Sequence, residues 1–204
     1  MVPPGVADSR RFERAVAAID AANADDPHRI TVRGEDRPKE LAHAELVTGW
    51  VRRLRPDASE ELLLAARAHH VRRWDIPRDS YPDGRSGYLR WRRALHDHHS
   101  EVTGVALREA GYGPAAIERV QTIVRKRDLA RDPEVQALED ALCLVFLETQ
   151  FDALAERLDA EKMDDVVRKT LVKMSDEAKE LALTLALGED ERAALARAVK
   201  KPGR

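Results

Sequence analysis

No stretch of this chain holds the succession of β-branched runs that a parallel sheet requires, and its apolar residues recur instead at helical spacing. Phe12, Val16 and Ile19 share one face of a segment that Ser9 is placed to cap. Leu41, Val47, Trp50, Val51 and Leu54 do the same in a helix running from about Pro38. Asp57 and Glu60 have capping-box spacing ahead of a third helix, which Pro77 closes. A long helix is expected over roughly Tyr88–Ala110, stopped by Gly111, and the next begins at Pro114. Asp132 and Pro133 open a further helix, expected to continue through Leu158, and three shorter ones follow it. Only "DDPHRITVRGEDRP" breaks the pattern, as an extended loop with a short strand at Ile30–Val32. The expected architecture is all-α, a single helical domain over residues 1–204.

Composition narrows the function classes. A chain of 204 residues with 43% apolar and 35% charged residues can bury one substantial core beneath solvated helix faces. Its net charge of -2 disfavours nucleic acid and acidic membranes as partners, so a basic patch has to be local. Cys143 is the one cysteine, set in the apolar "ALCLVFLE", and is expected to be a buried, inert thiol. The start "MVPPGVADSRRFER" has no apolar signal-peptide core and no run is long enough to span a bilayer, so the expected location is the cytoplasm.

The chemistry concentrates in seven histidines, six of which fall on three consecutive expected helices. "LLLAARAHHVRRWDIP" ends a helix on His69 and His70. His43 stands on the helix before, and "HDHH" (His96 to His99) on the helix after. Imidazoles from facing helices, completed by a carboxylate such as Glu139 or Asp140, are how metal sites are built inside bundles. The alternatives are interface histidines, a solvated "HDHH" face and a hydrogen-bonded core acid. Adjacent helical residues point about 100° apart, so only one of His69 and His70 can face fully inward. Arg72, Arg73, Arg78, Arg85, Arg90, Arg92 and Arg93 cluster around the loop after the histidine pair, interleaved with Trp74, Tyr81, Tyr88 and Trp91. Arg125, Lys126 and Arg127 form a second basic group. Arginines among aromatics suit a nucleotide or another small phosphorylated molecule, although pairing with neighbouring acids explains them equally well.

The order of these segments resembles the HD-type metal-dependent phosphohydrolases over roughly His43 to Leu147. "HAELVTGWVRRL" is similar to the first histidine helix and "LLAARAHHVRR" to the His-Asp dyad segment. "HSEVTGVALREAGY" resembles the segment with an additional metal histidine, and "LEDALCL" the one carrying the late aspartate. The resemblance implies an HD-like core at about 38–150, with helices over 160–200 packed on it. It implies metal ligands His43, His69, His70 and Asp140, and His99 or Glu101 acting on water. Arg72, Arg73 and Arg127 would neutralise phosphate charge. His70 stands where that family has its aspartate, which points to one divalent transition metal (Zn, Fe, Mn or Ni) rather than a bridged pair, or to none. A metal-dependent phosphohydrolase acting on a small phosphorylated metabolite or nucleotide is the first expectation. A non-catalytic module binding such a molecule is the second, and a helical scaffold the third. Longer strings, "FERAVAAIDAANADDP", "HVRRWDIPR", "SYPDGRSGYLRWR" and "RDPEVQALEDALCLVFLE", resemble the domain of unknown function 4202 family, for which no reaction is established.

Overall fold

The computed structural model describes residues 4–32, 34–151, 154 and 158–200. The described residues form an all-α bundle with one small hairpin. In chain order they are α1 (Pro4–Ala24), β1 (Arg29–Val32), β2 (Glu35–Pro38), α2 (Lys39–Leu54), α3 (Glu60–Ala68), α4 (Gly84–Ala110), α5 (Pro114–Val124), α6 (Pro133–Thr149), α7 (Ala160–Leu171), α8 (Asp176–Ala182) and α9 (Glu189–Lys200). Two single-turn 3-10 helices, Arg73–Asp75 and Arg78–Ser80, lie between α3 and α4.

Local chemistry sets most of these boundaries. Gly111, at φ 94°, takes the left-handed cap position that ends α4, and Tyr112 N–H donates to the Leu107 carbonyl across it. The Asp132 carboxylate accepts from the backbone N–H groups of Glu134 and Val135, and Pro133 occupies the first turn of α6, where no N–H is missed. Four expected boundaries move. The α1 helix already runs from Pro4, so Ser9 lies within it. Ser59, not Asp57, caps α3 by accepting from Leu62 N–H, and Glu60 turns aside to Arg11 and Tyr112. The α3 helix stops at Ala68, well short of Pro77. The α6 helix closes at Thr149, with Gln150 out of helical geometry, rather than continuing through Leu158; residues 152–153 and 155–157 lie outside the described residues. The expected loop with one strand is an antiparallel hairpin with Val32 opposite Glu35 and Gly34 at φ 83° in its turn.

Packing follows the apolar stripes. α2 lies between α3 and α6, α3 also meets α1 and α5, and α4 runs along α5 and α1. α9 packs on α7, and the hairpin sits at the start of α2. One hydrophobic cluster extends from Ala15 to Leu195, with Leu64, Leu107, Leu138, Leu144 and Phe151 fully buried. Gly87 is required where α4 starts, because a Cβ there would meet the Pro82 carbonyl oxygen at 1.8 Å. No helix among the described residues is long and apolar enough to cross a membrane.

Candidate functional site

The end of α3 organises the site. His69 is the C-cap of α3, and its Nδ1 lies 2.8 Å from the Ala66 carbonyl oxygen. Three residues later Arg72 adopts φ 52°, ψ 40°, a left-handed geometry rare for a residue with a side chain. That turn presents two more carbonyls to α4. His99 Nδ1 lies 2.8 Å from the Val71 oxygen, and His98 Nε2 3.1 Å from the Arg72 oxygen. A carbonyl oxygen only accepts, so the facing nitrogen of each ring carries the hydrogen. In neutral His69 and His99 the lone pair is therefore on Nε2.

Glu40 and His43 come from one face of α2, three residues apart. Glu40 is buried, and its Oε2 lies 3.1 Å from His70 Nδ1 and 3.7 Å from His43 Nδ1. Its backbone N–H is held by the buried Asp26 carboxylate at 2.9 Å. Arg73 approaches the other Glu40 oxygen at 3.9 Å, and its guanidinium lies 5.0 Å from the centre of the Trp91 ring. The His69 and His70 ring centres are 4.3 Å apart, and those of His70 and His99 5.6 Å. The Nε2 atoms of His43 and His99 are buried with no hydrogen-bond partner among the described residues. An unpaired buried polar atom is costly, about 1–3 kcal/mol, so both atoms are candidates to meet a ligand.

Electrostatics keep the rings neutral. Burial pushes His69 well below its ordinary value. Burial also pushes His99 down to about 3, against the raising effect of its Val71 hydrogen bond. His70 is likewise pushed to about 3 by burial and by the Arg73 charge, although Glu40 opposes this. Burial alone would raise Glu40, but the electrostatic attraction of His70 and the hydrogen bonding of His43 and His70 outweigh it and hold the carboxyl well below the usual carboxylate range. Neutral imidazoles beside an ionised carboxylate are the protonation states that bind a cation. Glu40, His69 and His70 each offer a ligand atom within 4.8 Å of the others. That is slightly wider than the ~4 Å spanned by ligands each about 2 Å from one ion. Nitrogen-rich donors of this kind suit Zn²⁺, Fe²⁺, Mn²⁺ or Ni²⁺ better than Mg²⁺.

The histidines form one end of a cavity of about 450 Å³ that also includes Tyr88, Trp91, Arg92, Lys126 and Glu139. This volume is within the range of small-molecule sites. Cys143 borders it, but burial pushes the thiol up to about 12, so it stays protonated.

Comparison with known proteins matches residues 13–195 to the family model described as Domain of unknown function (DUF4202). The chain belongs to this family. No curated protein and no solved structure matches it.

In this family member the expected site residues separate into two groups. His43, His69, His70, His99 and Arg73 line the cavity together. Asp140, Glu101, Arg72 and Arg127 do not. Asp140 is fully buried, with Oδ1 accepting from Gln136 Nε2 at 2.9 Å and from Ser175 N–H at 2.8 Å, and Oδ2 from Ser175 Oγ at 2.6 Å. It anchors the start of α8 to α6 and does not line the cavity. The cause is helical: Glu139 faces the cavity, so the next residue points about 100° away. Glu101, two residues beyond His99, is exposed on the outer side of α4. Arg72 pairs with Asp75 at 2.9 Å and is half exposed, so its backbone, not its guanidinium, serves the site. Arg127 is exposed and lines a shallow groove beside the cavity. The carboxylate that does face the histidines, Glu40, was missed. Its spacing from His43, "ELAH", is the Glu-x-x-His pattern of carboxylate-histidine sites in bundles and was legible.

Proposed function

We propose that the protein is a metal-dependent phosphohydrolase acting on a small phosphorylated metabolite or nucleotide. The observation that carries this reading is the set of neutral imidazoles gathered with one ionised carboxylate beside a guanidinium. Glu40, His69 and His70 would hold the ion, with the unpartnered Nε2 atoms of His43 and His99 next to them. A divalent ion held there supplies Lewis acidity toward a phosphoryl oxygen and acidifies bound water.

The chain's own residues then have defined parts. Arg73, fixed between Glu40 and the face of Trp91, pairs with phosphate oxygens at the histidine end. His99 Nε2 accepts a hydrogen bond and so orients a water; a ring held at about 3 is too weak a base to carry its proton away. The similarity to HD-type phosphohydrolases supports the reaction class, with Glu40 rather than Asp140 as the carboxylate. The lone thiol fits a cytoplasmic location.

A screen of phosphorylated metabolites with untagged protein tests the reading. Phosphate release should disappear with a chelator and return on adding a divalent transition metal. Phosphate release that chelation leaves unchanged, or its absence from metal-loaded protein across the screen, contradicts it. Among the described residues one carboxylate, Glu40, faces the histidines, and His99 is held too low to act as a base, which favours a second reading, a non-catalytic binding module. That reading predicts that phosphorylated ligands raise the melting temperature equally with and without metal.

A further inference from the structure

The cavity has a second group of charged residues, gathered around Glu139 rather than Glu40. Among the described residues five cationic side chains line the cavity, Arg73, Arg92, Lys126, Lys169 and Lys173, against one carboxylate, Glu139. In a chain of net charge -2 this excess is local. Glu139 accepts from Lys126 Nζ at 2.5 Å and lies 3.7 Å from Lys173 Nζ, so a single carboxylate is shared by two ammonium groups. Lys169 turns outward to Asp165. Arg92 is half-buried and makes no ion pair among the described residues; its guanidinium lies only at 6.0 Å from the Tyr88 ring centre. Lys126 sits at φ 54°, a left-handed backbone that costs energy for a residue with a side chain, and its side chain lines the cavity. Arg92, Lys126 and His96 line the cavity together, and burial with the charges of Lys126 and Arg92 pushes the His96 ring down to about 4. Cations concentrated in a cleft without matching anions raise the local concentration of anionic ligands.

We propose that Arg92, Lys126 and Lys173 form a second anion subsite, so that the ligand of this cavity carries two anionic groups. A phosphoryl group lies at the histidine end and a further phosphoryl or carboxylate at the lysine end. The identity of the first group rests on the function proposed above; the second subsite rests on these cations alone. Leu95, Val124, Leu142 and Phe146 supply apolar wall, which suits a carbon skeleton joining the two groups.

Calorimetric titration of the full chain with alkane-1,n-diyl bisphosphonates of several spacer lengths, each against its matching alkyl monophosphonate, tests this. At least one bisphosphonate should bind about tenfold or more tightly than its monophosphonate, because the second contact becomes intramolecular. Arg92→Met and Lys173→Met should each remove that advantage while leaving monophosphonate affinity and melting temperature close to those of the parent. Arg92 leaves no carboxylate orphaned, so Arg92→Met is the variant least exposed to misfolding. Equal affinity for the two ligand types at every spacer, failure of every bisphosphonate to bind, or an advantage that survives both substitutions would overturn the proposal. His70→Ala separates the two claims. If it leaves monophosphonate binding intact while Arg92→Met still removes the bisphosphonate advantage, the histidine-end reading fails and the second subsite stands.

Discussion

The Oε2 atom of Glu40 lies 3.1 Å from Nδ1 of His70, joining a buried carboxylate on α2 to the imidazole pair that ends α3. A carboxylate held this way fixes the ring's tautomer, with hydrogen on Nδ1 and the lone pair on Nε2. The same atom also faces His43, so one side chain orients two potential ligands and offers oxygens of its own. Partners of this kind govern metal affinity as strongly as the ligands themselves.

Glu40→Gln keeps the volume and removes the charge. Divalent metal affinity should fall by about 10–100-fold. Competition with a chromogenic chelator measures this. An unchanged affinity would mean that the carboxylate serves only the fold.

Asp140→Ala should behave oppositely. It removes the acceptor for Ser175 and Gln136 at the junction of α6 and α8 and leaves buried donors unmet. A stability loss of about 2–4 kcal/mol in urea unfolding is expected, with metal affinity preserved. Loss of metal binding at intact stability would return Asp140 to the site.

Acid should destabilise the fold through its buried rings. His69 and His99 are held neutral when folded, with His99 pushed to about 3, while the unfolded rings take up protons near their ordinary 6.5. The unfolded state therefore binds more protons below that value. Stability is fully present above about pH 6.5 and is lost as the pH falls toward 3. Each of these two rings contributes a slope of up to about 1.4 kcal/mol per pH unit. Urea midpoints measured across this range check the sign, and a flat profile between pH 6.5 and 4 would contradict the burial-driven shifts.

Arg73→Lys tests the phosphoryl end. A lysine keeps the charge but loses both the planar face against Trp91 and the forked donor geometry. Affinity for inorganic phosphate should fall by about tenfold and should not be rescued by the conserved charge. Titration calorimetry reads this directly, and near-parental affinity would show that charge alone suffices.

The helical architecture was legible wherever the deciding chemistry is local. Gly111, Pro114 and the Asp132–Pro133 pair end or begin helices through their own backbone preferences. Ser59 outcompeted Asp57 because cap choice depends on where the chain enters α3, a tertiary matter. The site was legible in its histidines, since His43, His69, His70 and His99 meet as their order suggested. Its carboxylate, Glu40, was passed over for Asp140, because an acid in the most apolar helix reads as a ligand until packing shows it taken up by Gln136 and Ser175. Lys126 stood out in the basic group Arg125 to Arg127, but only its left-handed geometry singles it out there, and Lys173, just past the end of α7, carries no sequence signal.

The most direct test is an anomalous difference map from crystals grown with Zn²⁺ or Mn²⁺ and measured above the metal's absorption edge. We expect one dominant peak among Glu40, His69 and His70, with His43 or His99 Nε2 turned toward it. A map with no peak there, in crystals whose cavity is open to solvent, would contradict the metal site on which the proposed function depends.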